Sequence, residues 1–100
     1  MTISLKKNKK NCTIALPEDL SAVLAAPLKT TLCEAISYQQ PISIDIACVI
    51  YCHSLCLQLL LAVEKAAEAA QLAITYKGQS TAMTEAARTL GLNMKLTTQP

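Results

Sequence analysis

The sequence predicts one α/β domain: a mixed β-sheet of four to five strands with about three helices packed on it. Three observations predict it. Two runs, Ile42–Ile46 and Leu72–Tyr76, alternate apolar and polar residues with the period of two that a half-buried strand requires. Segments between and after them repeat apolar residues at three and four positions, the period of a helix with one buried face. The chain is 100 residues long, enough for one domain of the usual ~100–150 residues and too short for two. Residues 1–100 are therefore read as a single domain.

In chain order, Ile3 to Leu5 and Cys12 to Leu16 are short β-like runs flanking a Lys/Asn segment, and together they read as a hairpin. The turn is placed at Lys7-Asn8-Lys9, because Asn tolerates left-handed backbone angles. Pro17 to Asp19 is expected to open a helical stretch. Pro27 falls in the first turn of the main helix, where its missing N–H costs nothing. Leu28, Leu32, Ala35 and Ile36 form that helix's apolar face, and Lys29, Thr30 and Glu34 lie largely elsewhere. The helix fades near Tyr38–Gln40, since Pro41 disfavours helical geometry in the residue before it.

Ile42, Ile44 and Ile46 alternate with Ser43 and Asp45 and predict a central strand, with Ala47, Cys48, Val49 and Ile50 continuing as a buried crossover. A second helix is expected from about Ser54 to Ala70. Its apolar face is Leu55, Leu59, Ala62, Val63 and Ala66, its wet side Glu64, Lys65 and Glu68, and its N-cap Ser54. Leu72, Ile74 and Tyr76 predict a further strand ending at Gly78. Ser80 or Thr81 caps a third helix patterned by Met83, Ala86, Ala87 and Leu90, with Gly91 as its C-terminal cap. Asn93 to Leu96 is an optional last strand. Strands alternating with helices imply parallel pairing through helical crossovers.

Composition narrows the function classes. Apolar residues make up 52% of the chain, with no Phe or Trp and only three Tyr, so the core must be aliphatic. Two glycines and four prolines argue against disordered low-complexity sequence. Net charge is +2, and Lys6, Lys7, Lys9 and Lys10 crowd one segment without interleaved aromatics, which reads as a solvated turn and not a nucleic-acid surface. The five cysteines, Cys12, Cys33, Cys48, Cys52 and Cys56, are an odd count. With no apolar signal region in Met1 to Lys10, they imply free thiols in a reducing, cytoplasmic setting. Ile42 to Val63 is apolar and about as long as a bilayer span of ~20 residues. Asp45, His53, Ser54 and Gln58 would be costly in hydrocarbon, so a core strand leading into a buried helix is expected, with no insertion into a membrane.

One constellation resembles a known family. Asp45-Ile46, then Val49, then His53-Ser54-Leu55-Cys56-Leu57-Gln58-Leu59-Leu60-Leu61-Ala62 is similar to the signature of STAS domains. There a strand ends in Asp-Leu-Ser, and Asp-Ser-Ser-Gly-Leu or Asp-Thr-Ala-Gly-Leu opens the next helix. Ser80-Thr81, Ala86-Ala87 and Leu90-Gly91-Leu92 look like the end of the family's following helix.

The resemblance covers nearly the whole chain. It implies a cytoplasmic, non-enzymatic module that docks a regulatory protein: a histidine-kinase-like ATPase, a chemotaxis component or a transporter ATPase. The family holds anti-sigma-factor antagonists, stand-alone domains of bacterial chemotaxis and signalling systems, and subunits of lipid-trafficking ABC transporters. The run Ser54 to Leu61 looks closest to the chemotaxis type. Three departures bear on mechanism. His53 replaces the signature Asp, Leu55 the second Ser, which is usually the phosphoacceptor, and Cys56 the Gly. Ser54 keeps a hydroxyl at the first motif position, where transporter-type members carry a Thr needed for function. The alternatives to a signalling adaptor are thus a transporter accessory subunit and a degenerate module without phospho-regulation.

The chemistry candidates gather at this motif. Ser54 is a candidate phosphoacceptor, because free amides and the helix dipole at a helix start favour added negative charge; a plain capping role explains it more simply. His53, Ser54, Leu55, Cys56 and Leu57 form the expected partner-binding surface, apolar and almost chargeless. His53 invites roles as a base for Ser54, a phosphohistidine or a metal ligand. Neighbours at a helix start do not point at one another, so no catalytic residue is assigned. Cys52, His53 and Cys56 have ligand-like spacing, but a closed zinc site needs four ligands. Buried thiols filling gaps explain the cysteines better, and no metal or cofactor is assigned.

Overall fold

The structure is a computed structural model and describes residues 3–92. The chain folds in the order β1 (Ser4–Lys7), β2 (Cys12–Ala15), β3 (Asp19–Leu20), a 3₁₀ turn (Ala22–Leu24), α1 (Ala25–Ser37), β4 (Ile42–Asp45), β5 (Tyr51–Cys52), α2 (Ser54–Ala69), β6 (Ile74–Lys77) and α3 (Thr81–Leu90). Four strands make one sheet in the order β1-β2-β4-β6, and β3 and β5 make a separate two-stranded ladder. β1 pairs antiparallel with β2, as the hairpin requires, and β2, β4 and β6 run parallel, joined by α1 and α2. The mixed α/β architecture with three helices is as the sequence predicts. The optional strand at Asn93 to Leu96 lies outside the described residues.

Strand register decides which side chains enter the core. Cys12 and Ile14, Ile42 and Ile44, and Ile74 and Tyr76 sit side by side and are buried. Leu28, Leu32 and Ala35 of α1, Leu57, Leu60 and Val63 of α2, and Met83 and Ala87 of α3 join them in one cluster. The alternate strand residues Thr13, Ser43 and Thr75 stand in register on the opposite face, where Ser43 and Thr75 hydroxyls lie 3.4 Å apart. Helices therefore cover one face of the sheet and leave the other polar, which is why each strand alternates instead of being apolar throughout.

Several local expectations are corrected. Pro17–Asp19 opens no helix: Asp19–Leu20 is a strand paired with Tyr51–Cys52, and the helix starts only at Ala25. The hairpin turn spans Asn8 to Asn11 and needs no left-handed Asn. The Asn8 side-chain oxygen accepts the amides of Lys10 and Asn11, at 2.8 Å each, while its own amide donates to the Asn11 carbonyl. Among the described residues, the left-handed non-glycine residues are Gln39 and Gln71, at the ends of α1 and α2. Of the presumed buried crossover, Val49 alone is buried, with Ala47, Cys48 and Ile50 exposed.

The buried stripe of α2 is also rotated from the expected one. Cys56, Leu57, Leu60, Val63, Glu64 and Ala67 point inward, whereas Leu55, Ala62 and Ala66 are exposed. Glu64, expected on the wet side, is 5% exposed and accepts a hydrogen bond from the Tyr76 hydroxyl of β6. That bond supplies the polar partner a buried carboxylate needs. The stretch Ile42 to Val63 is divided among β4, an exposed loop, β5 and α2. Among the described residues no helix is long and apolar enough to cross a membrane.

Candidate functional site

The start of α2 is held from three sides. The His53 amide donates to the Leu20 carbonyl at 2.9 Å, and the Ile50 and Tyr51 amides both donate to the Glu18 carbonyl, so β3 anchors the segment entering the helix. The Cys56 thiol donates to the Ser21 carbonyl at 3.4 Å, tying the first turn of α2 to the strand-to-3₁₀ junction. Behind the loop, Ser80 donates from its hydroxyl to the Val49 carbonyl at 2.8 Å while the same oxygen accepts the Met83 amide that caps α3. Gly78, at φ +78°, lies so close to this loop that a Cβ there would stand 2.7 Å from the Ala47 Cβ. The strand ending in Asp45 turns because its carboxylate accepts the Ala47 amide at 3.0 Å.

His53, and not Ser54, is the N-cap of α2. Its backbone is extended at φ −68°, ψ 147°, and its Nδ1 accepts the Leu55 amide at 3.1 Å. Accepting that amide requires a free lone pair on Nδ1. This answers the departure from the signature Asp: an imidazole nitrogen takes over the acceptor role a carboxylate oxygen would fill at that position. Ser54 becomes the first helical residue, half-buried, beside free first-turn amides at the positive end of the helix dipole.

Of the five residues expected to meet a partner, two are withdrawn. Cys56 and Leu57 are fully buried, because the α2 register turns them into the core, and no partner can reach them without unfolding the helix. Leu55 is 50% exposed, and His53 and Ser54 are half-buried. Residues that periodicity passed over stand exposed beside this motif. Val23 is 81%, Ile50 72% and Tyr51 49% exposed, each on a segment hydrogen-bonded or packed to the start of α2. Periodicity in α2 could not reveal them, since they come from two short segments outside it, the 3₁₀ turn and the Ile50–Tyr51 stretch. The one available signal was local: apolar residues in segments too short to bury them.

The thiols are chemically quiet where they are buried. Desolvation, aided by the neighbouring Cys56, pushes the Cys52 thiol up to about 12, and burial raises Cys56 and Cys12 as well. Metal binding and nucleophilic attack need the thiolate, which these surroundings disfavour. Among the described residues no group of three or more His, Cys, Asp or Glu side chains comes together to hold a metal ion.

A family model described as "Mlab, STAS domain" matches residues 3–98. Among solved structures, an anti-sigma factor antagonist from Mycobacterium paratuberculosis superposes with a TM-score of 0.73 at 16% sequence identity. The match covers 90% of this chain and 77% of that one, and at that identity it shows a shared fold. No curated protein sequence matches this chain.

Proposed function

The chain belongs to the STAS domain family, and from that premise we propose that it is a non-enzymatic signalling module that docks a regulatory protein through the start of α2. The observation that carries this reading is the set of exposed apolar side chains, Val23, Ile50, Tyr51 and Leu55, on segments that flank the start of α2 or are tied to it by hydrogen bonds. Single exposed apolar residues are ordinary, but a group of large ones on one edge of a small domain marks an interaction surface. The segments presenting them are pinned by backbone and Ser80 hydrogen bonds, so the surface is preorganised and loses little entropy on binding. A phosphate on Ser54 would add roughly −1.5 to −2 charges at the start of α2, next to exposed Leu55, and switch docking off or on. The partner in this reading is an ATPase of the histidine-kinase type or a chemotaxis component in the cytoplasm.

The test replaces Leu55→Arg and Ser54→Glu in separate chains and compares the proteins each retains from its native cell extract. Loss of a partner that the parent chain keeps supports the reading; identical retention by both variants overturns it. A second reading, favoured by the hydroxyl of Ser54 at the first motif position, is an accessory subunit seated on the ATPase of a lipid transporter. Retention of an ATPase together with its permease selects that reading. Intact-mass measurement of the native protein separates a switch from a module that has lost its regulation, since only the switch carries phosphate on Ser54.

A further inference from the structure

Away from the start of α2, helices α1 and α2 pack against each other but leave a gap along part of their contact. Between them lies a recess of about 310 Å³, at the small end of the ~300–1,000 Å³ range of ligand sites. Leu32 and Val63, both buried, form its floor, and half-buried Ile36 and Leu59 form its walls. Ala62 and Ala66, one helical turn apart on α2, are too small to fill it. Its single charged lining residue is Lys29, an exposed side chain that makes no ion pair among the described residues. A lysine stem lies along apolar surface and keeps its ammonium in water, so the recess has an apolar trough and one cationic rim.

We propose that this recess binds a single-chain amphiphile with an anionic head, its acyl chain lying between α1 and α2 and its carboxylate against Lys29. The shape argues against a second copy of the chain as occupant. A two-fold contact would set recess against recess, and a knob would be needed to fill each hole. The exposed large apolar side chains, Val23, Ile50, Tyr51, Leu55 and Leu90, are all absent from the lining. Charge selects the head: a carboxylate gains a charge-assisted hydrogen bond from Lys29, and a cationic head of equal length meets repulsion.

The test titrates laurate, below its micelle-forming concentration, into the full chain carrying Cys48→Ser. Cys33 lines the recess and is exposed, so its labelling by a thiol reagent reports occupancy, and removing the exposed Cys48 leaves it the only exposed thiol among the described residues. Saturable protection of Cys33, with amide NMR shifts confined to Leu32, Ile36, Leu59, Ala62 and Ala66, is expected. Filling the recess with Ala62→Leu and Ala66→Leu, both at exposed positions, abolishes protection. Lys29→Glu weakens laurate about tenfold, the size of one charge-assisted contact, and reverses preference toward dodecyltrimethylammonium. Absence of saturable binding overturns the proposal, as does binding indifferent to both sets of substitutions or equal binding of the two head groups by the parent chain. Sedimentation showing a dimer that Ala62→Leu and Ala66→Leu dissociate overturns it in favour of a contact between chains.

Discussion

Exchanging the roles of His53 and Ser54 in stability measurements tests the cap assignment most sharply. His53→Ala removes the Nδ1 that accepts the Leu55 amide and exposes an unsatisfied donor at the start of the longest helix. Loss of an N-cap acceptor costs about 0.5–2 kcal/mol. Set against a total stability of ~5–15 kcal/mol for a domain, this is a sizeable fraction. It lowers Tm by roughly 4–8 °C per kcal/mol in a domain of this size. Ser54→Ala, by contrast, places a stronger helix former at the first helical position and removes a hydroxyl that caps nothing, so its effect stays within about 0.5 kcal/mol. His53→Asn supplies a side-chain oxygen in the same place and recovers most of the loss. Paired urea and thermal unfolding followed by circular dichroism measures all three. If Ser54→Ala costs more than His53→Ala, or Asn fails to restore stability, the cap assignment is wrong.

Two further outcomes concern the interior. Cys52, Cys12, Cys56 and Tyr76 all hold their protons more tightly in the folded chain, chiefly through desolvation. A raised folded pKa means the unfolded chain releases protons first, so these groups stabilise the fold fully below about pH 9 and progressively less as pH rises toward 12. Urea midpoints measured from pH 7 to 11 should fall above pH 9, and Cys52→Ala should flatten that fall; a midpoint that rises with alkali contradicts the burial. Tyr76→Phe keeps the ring but removes the hydroxyl that donates to the buried Glu64 carboxylate. The expected loss is about 1.5–3 kcal/mol, the worth of a hydrogen bond to a charged group, and a neutral result would show that Glu64 draws its satisfaction elsewhere.

Much of the fold is legible along the chain because period and punctuation are local properties. Ile42–Ile44 and Ile74–Tyr76 alternate because one sheet face is buried, and Ser80 and Gly91 stand where the start and end of α3 demand a hydroxyl and a left-handed residue, the latter at φ 70°. The family resemblance rested on the same stretch, Asp45 through Ala62, that builds the site. Less legible was the rotation of α2. Its sequence is apolar almost all round from Leu55 to Val63, so two stripes compete, and periodicity chose the one that lines the recess beside α1. The β3–β5 ladder was invisible, since two-residue strands carry no period at all.

Sequence alone determined that the chain would form a small aliphatic α/β domain with the STAS-like signature at the start of α2, because burying enough apolar surface in 100 residues leaves few other arrangements. Tertiary structure decided which motif residues face outward. β3 crosses to pair with β5, pulls the Ile50–His53 segment into place, and sets the angle at which α2 begins. That angle sends Cys56 and Leu57 into the core, leaves Leu55 outside among Val23, Ile50 and Tyr51, and makes His53 the cap. Contacts between residues thirty or more positions apart fix these choices, and no local pattern encodes them.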